Sequence, residues 1–174
     1  MEAISLEEIE QMEDFIFHLS ASQMMEWKAN LKLNQPYIYE MFTKNIHTNK
    51  TTDELDFLFR MVFVTLKCFD AYGVKLPRFL DKDIGKADKR WKSLMMQGEG
   101  QIHYQNLMRV GDTVKQGLIC KFIFDKFMEK DAPPNDSSLA KTQVKFNTLC
   151  VVVLLYGSKI EELLRYQNNA KRKE

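Results

Sequence analysis

Phe146-Asn147-Thr148-Leu149-Cys150-Val151-Val152-Val153-Leu154-Leu155-Tyr156 decides how this chain folds, because from Leu149 to Leu155 no polar side chain interrupts it. A segment apolar on every side needs cover on every side. Taken alone it also reads as a buried strand, since periodicity cannot assign a short apolar run. Its flanks decide. Upstream, Ala132-Pro133-Pro134-Asn135-Asp136-Ser137 is a loop ending in helix N-cap residue types. Downstream, Ile160, Leu163 and Leu164 continue an apolar stripe at helical spacing, with Glu161, Glu162 and Arg165 on the other side. The expectation is a helix over about 138–166, with a disturbance at Gly157. The apolar run is too short for a membrane span, which needs about 20 apolar residues.

A second stretch of the same character precedes it. From Leu55 to Tyr72, Leu58, Phe59, Met61, Val62, Phe63, Val64, Leu66 and Phe69 leave almost no polar face. The capping-box pattern Thr51-Thr52-Asp53-Glu54 opens it, and Gly73 ends it at a position suited to a left-handed C-terminal cap. The expected fold is all-α: a single-domain helical bundle of six to seven helices over 1–166, sheathing two strongly apolar central helices at about 54–72 and 138–166. Residues 167–174, with Lys171-Arg172-Lys173, are expected to form a flexible basic tail.

The remaining helices are amphipathic. Ser5-Leu6-Glu7-Glu8 is a capping box, and Leu6, Ile9, Met12, Ile16 and Leu19 form the buried stripe of the helix it opens. Ser20-Ala21-Ser22 caps a second helix with Met24, Trp27, Leu31 and Leu33, and Pro36 stands in the first turn of a third with Tyr37, Ile38, Met41, Phe42 and Ile46. After Gly98-Glu99-Gly100, one long helix is expected over 101–128, burying Leu107, Val110, Val114, Leu118 and Phe122, with Ile119, Ile123 and Phe127 as further core candidates; two adjacent shorter helices are the alternative that Gly111 allows.

Composition supports a helical, soluble chain. In 174 residues there are only seven Gly and four Pro, against ten Met and twelve Phe, and apolar residues make up 45%. Cys68, Cys120 and Cys150 are odd in number, widely spaced and set in apolar surroundings, which implies buried free thiols in a reducing compartment. The acidic N-terminal region has neither a basic start nor an apolar core of signal-peptide type, so the expected location is cytoplasmic.

Charge is close to balanced overall, at +1, but it is unevenly distributed. Residues 1–14 hold six acidic side chains and no basic one, whereas residues 75–92 hold seven basic against three acidic, a local charge of +4. In that second stretch Leu80, Ile84, Ala87, Trp91, Leu94 and Met95 share one face of a helix, with a kink possible at Gly85. Arg78, Lys82, Lys86, Lys89, Arg90 and Lys92 form the candidate basic binding face. Such a face suits an acidic protein, a phosphate backbone or an anionic surface. The plainer alternatives are a solvated outer face, or pairing with the acidic first helix inside the molecule. Base-stacking aromatics do not interleave the lysines, which disfavours single-strand binding.

Motifs of catalysis and metal binding are missing. None of His18, His47 or His103 has Glu three residues before it, and no Cys-x-x-Cys, His-Glu-x-x-His, phosphate-loop or Gly-x-Ser-x-Gly pattern occurs. Asp14 with His18, and Glu99 with His103, are spaced as surface pairs on a helix. Glu7, Glu10, Glu13 and Asp14 suit a solvated helix start better than a cation site, and Met24, Met25, Met95 and Met96 suit core filling better than an adaptable groove. No catalytic residue, metal or cofactor is expected. The function expected from the sequence is a non-enzymatic protein-interaction or regulatory module whose partner is another protein or a second copy of itself. The alternative is a nucleic-acid binder using the helix at 78–92.

Overall fold

The computed structural model describes residues 3–44, 52–96, 116–130 and 136–171. Among the described residues there are seven helices and no strand: α1 Leu6–Phe17, α2 Ala21–Asn34, α3 Pro36–Lys44, α4 Thr52–Asp70, α5 Asp81–Met96, α6 Gly117–Lys130 and α7 Asp136–Lys171. The fold is an all-α bundle, and the decisive apolar run lies in the middle of α7. Phe146 and Thr148 to Gly157 are buried there, with Asn147 half-buried. Cover comes from α5, α6 and α4, with α3 touching more lightly.

Local signals set the helix ends. The Ser5 hydroxyl accepts the Glu8 N–H at 3.2 Å, while the Glu8 carboxylate accepts the Ser5 N–H at 2.8 Å. That N–H, joined by the Ser5 hydroxyl donating to the same carboxylate at 2.8 Å, holds Glu8 below the usual carboxylate range. Ser20 and Gln23 repeat the reciprocal pair at 3.3 and 2.9 Å. Helix α4 stops because Gly73, at φ +61°, turns left-handed and donates its N–H to the Asp70 carbonyl at 2.9 Å.

Helix α4 is the second apolar centre. It buries Leu58, Phe59, Met61, Val62, Phe63, Val64, Cys68 and Phe69, and the hydroxyl of buried Thr65 donates to the Met61 carbonyl at 2.9 Å. Phe69 stacks on Tyr156 with ring centroids 5.7 Å apart, joining the two central helices. Cys68, Cys120 and Cys150 are free, buried thiols on α4, α6 and α7 respectively. Burial pushes the Cys68 thiol up to about 12 and raises Cys150 as well, with Cys120 alongside adding to the rise.

Helix α1 lies on α4 and α6. It has no basic residue in its last turn, and Arg60 of α4 supplies that charge. The guanidinium donates to the carbonyls of Ile16, Phe17 and Leu19 at 2.7, 3.1 and 3.3 Å, and to the Asp56 carboxylate at 2.8 Å. Glu13 of α1 accepts from Lys126 of α6 at 2.9 Å. The acidic helix is therefore held by α4 and α6, and its charge is not matched to the basic stretch through packing on α5.

Several expected details change. Leu6 is half exposed, because the face of α1 turned to α4 and α6 is the one carrying Ile9 and Ile16. Leu33 and Tyr37 are also exposed. The helix expected over 101–128 does not run unbroken: Gln116 is a turn residue and α6 begins at Gly117. Phe122 is buried as expected, together with Ile119, Ile123 and Phe127, while Leu118 lies off the inner face of α6 and is exposed. Neither Gly85 nor Gly157 interrupts its helix, and α7 continues to Lys171, beyond the expected start of the tail. Met24 is core and Met25 is exposed. The Glu99–His103 pair, Ile46, Thr51, Gly111 and residues 101–115 lie outside the described residues.

Candidate functional site: a basic groove between two helices

The chain crosses from α4 to α5 in a segment without regular secondary structure, residues 73–80, which is fixed by one buried side chain. Gln35, at the junction of α2 and α3, donates from its amide nitrogen to the Pro77 carbonyl at 3.0 Å and accepts the Phe79 N–H at 2.9 Å. This double bond to the backbone seats Phe79 in the core, 5.0 Å from the Tyr156 ring. The next residue, Leu80, remains outside at 43% exposure, and its N–H is accepted by Asp83 at 3.0 Å to start α5. Packing therefore runs through Phe79, Ala87 and Trp91, with Ile84 and Leu94 half-buried; Leu80, expected on the inner face, lies at the rim.

Helix α5 packs on α7 through Trp91. Its indole N–H donates to the Asn147 side-chain oxygen at 2.9 Å, and its ring meets Phe146 edge-on with centroids 5.9 Å apart. Between α5 and α7 a groove of about 540 Å³ is left open. Phe79, Ala87, Leu154 and Leu155 provide its apolar floor. Arg78, Lys82, Lys86 and Arg90 line one wall and Lys159 the other, against only two carboxylates, Asp83 and Glu162.

Lys82, Lys86 and Arg90 recur every four residues, which places them in one row along the helix. Arg90 donates to the Ser158 hydroxyl at 2.8 Å across the groove, and Lys159 pairs with Glu162 at 2.8 Å. Asp83 is occupied by the helix start. Arg78, Lys82 and Lys86 have no ion pair or hydrogen bond among the described residues. The structure thus brings four of the six candidate basic residues into one groove. Lys89 and Lys92 lie outside it, and Lys92 pairs with Asp88 on its own helix at 2.6 Å.

The other candidates behave as surface or core features. Asp14 and His18 form an exposed pair at 3.2 Å. Among the described residues no group of three His, Cys, Asp or Glu side chains is placed to hold a metal ion, and no helix is long and apolar enough to cross a membrane. The opposite wall of the groove, Ser158, Lys159 and Glu162, escaped sequence reading because it lies some 70 residues from α5; Arg90 and Ser158 are 68 positions apart. Its only sequence signal was the change from the apolar run to polar residues after Gly157.

What the groove offers chemically is a set of unneutralised cations above an apolar base. No protein-family model matches the chain, and neither the curated proteins nor the solved structures provide a match.

Proposed function

We propose that the chain is a non-enzymatic interaction module whose α5/α7 groove holds an acidic, partly apolar segment of a protein. The observation that carries this reading is the row of unpaired cations Arg78, Lys82 and Lys86 beside an apolar floor and the exposed Leu80. Carboxylates entering the groove gain charge-assisted hydrogen bonds and relieve repulsion between like charges one turn apart. An apolar side chain on the same segment covers Leu80 and the floor. A phosphate backbone satisfies the charges but has no use for the apolar floor, and Phe79, the groove's aromatic residue, is too buried to stack on a base.

Fluorescence anisotropy tests this directly. The probes are a short labelled amphipathic helical peptide of Glu, Leu and Ala, a labelled DNA duplex and a labelled single strand, titrated at about 50 and about 200 mM salt. The expected result is binding of the peptide, lost in Lys82→Glu/Lys86→Glu. Steeply salt-dependent binding of nucleic acid that those changes abolish, with no peptide binding, replaces the reading with phosphate-backbone recognition. Binding of the peptide that survives the double change removes the groove as the site.

A further inference from the structure

Building on the groove's proposed role, we infer that it receives the exposed face of α1 from a second copy of this chain. The outer face of α1 carries Leu6, Glu7, Glu10 and Asp14, all exposed, with Asp14 paired to His18, while the Phe17 ring is set against Phe57 and Arg60 of α4. Glu7 and Glu10 make no hydrogen bond or ion pair among the described residues. Unpaired carboxylates on one surface therefore have their complement in unpaired cations on another.

The dimensions agree. Glu7 to Asp14 spans about 10 Å along a helix and Lys82 to Arg90 about 12 Å, so three carboxylates reach the length of the basic row. The apolar parts correspond as well: Leu6, half exposed, adjoins the acidic stripe, and the groove offers Leu80 and its apolar floor. With a net charge of only +1, two copies repel each other little while their opposite poles attract.

Internal closure does not compete. Arg60 clamps the C-terminal carbonyls of α1 and Lys126 holds Glu13, so the helix stays on α4 and α6 with its outer face presented. Each copy then has one acidic stripe and one basic groove at different places. Repetition of such a contact gives a reciprocal twofold dimer, in which each copy's α1 enters the other's groove, a closed ring or an open chain of subunits.

Sedimentation velocity of the full chain over a concentration series is the test, with circular dichroism confirming that each variant keeps its helix content. The wild-type chain is expected to associate at about 50 mM salt, with apparent affinity falling roughly tenfold or more by about 200 mM. Lys82→Glu/Lys86→Glu and Glu7→Lys/Glu10→Lys are each expected to sediment as monomers. Mixed in equal amounts they should form a complex, because each brings one intact surface, and a chain carrying all four reversals should associate again. A wild-type chain that remains monomeric at low salt overturns the inference, as does association that survives either reversal. If the wild-type chain is monomeric but still binds the Glu/Leu/Ala peptide through Lys82 and Lys86, self-docking falls and the groove reading stands; loss of both removes both.

Discussion

Arg60 on α4 and Lys86 on α5 are both cations on helices that pack against the core, yet their surroundings are opposite. Arg60 reaches three backbone carbonyls and a carboxylate, Lys126 has Glu13, and Lys28 has Asp56 at 3.2 Å and the Phe59 ring at 5.0 Å. Around α1, α4 and α6, positive charge is used to join helices. Along the groove wall of α5, Arg78, Lys82 and Lys86 join nothing among the described residues, and the helix is attached by Trp91, Ala87 and the aromatic contacts of Phe79. Charge that holds a fold together can be recognised by its partners; charge without partners raises repulsion and leaves its energy available to something outside.

That contrast is open to direct attack. Trp91→Ala removes the main apolar attachment of α5 and leaves a cavity, and the expected loss in urea denaturation is about 4 kcal/mol. A loss below about 1 kcal/mol would show that α5 is held by something other than its inner face. Arg60→Leu strips three carbonyls of a donor and should cost about 2 kcal/mol, again by denaturant midpoint; a neutral result would mean that water replaces the guanidinium.

The same cluster predicts a pH dependence. Partial burial pushes the Asp56 carboxyl up, but hydrogen bonds from Arg60 and Lys28 outweigh it and leave the group more acidic than the ordinary 3.8. With a lowered native pKa, the stabilisation is fully present above the ordinary aspartate range and is lost as pH falls through the native value. Acid titration of Asp56→Asn against the parent should therefore show the two stabilities converging below about pH 4.

Smaller effects are expected on the basic helix. Gly85 is exposed within α5 and a methyl group there meets nothing within 4 Å, so Gly85→Ala should add about 1 kcal/mol of stability without altering the groove. Lys86→Gln should change the unfolding midpoint by less than about 0.5 kcal/mol. A clear loss on neutralising Lys86 would place that side chain in the fold's own support and erase the difference between the two regions.

Much of the fold was legible because its signals are local. The apolar run of α7, the capping box at Ser5, the helix cap at Ser20, Pro36 at the start of α3 and the left-handed Gly73 each depend on a few neighbouring residues. Tertiary contacts were not legible in the same way. Nothing near Gln35 in sequence says that its amide will fix the backbone of Pro77 and Phe79 and thereby turn Leu80 outward. Half the groove was visible as a basic face, but helical periodicity gives only the direction of a side chain. It does not say which flank of that face a second helix will approach, and the approach of α7 selects Lys82, Lys86 and Arg90 while leaving Lys92 to Asp88.

The placement of the three thiols has a consequence of another kind. Cys68, Cys120 and Cys150 stand one each on α4, α6 and α7, the helices that meet at the centre of the bundle. A thiol reacts as its thiolate, and burial keeps Cys68 and Cys150 protonated far above neutral pH, so the closed molecule is inert to an alkylating reagent. Each parting of these helices admits water, returns the thiol to ordinary acidity and exposes it to capture. An alkylating reagent would thus leave a permanent covalent record of such openings at two places, Cys68 on α4 and the neighbouring Cys120 and Cys150 between α6 and α7.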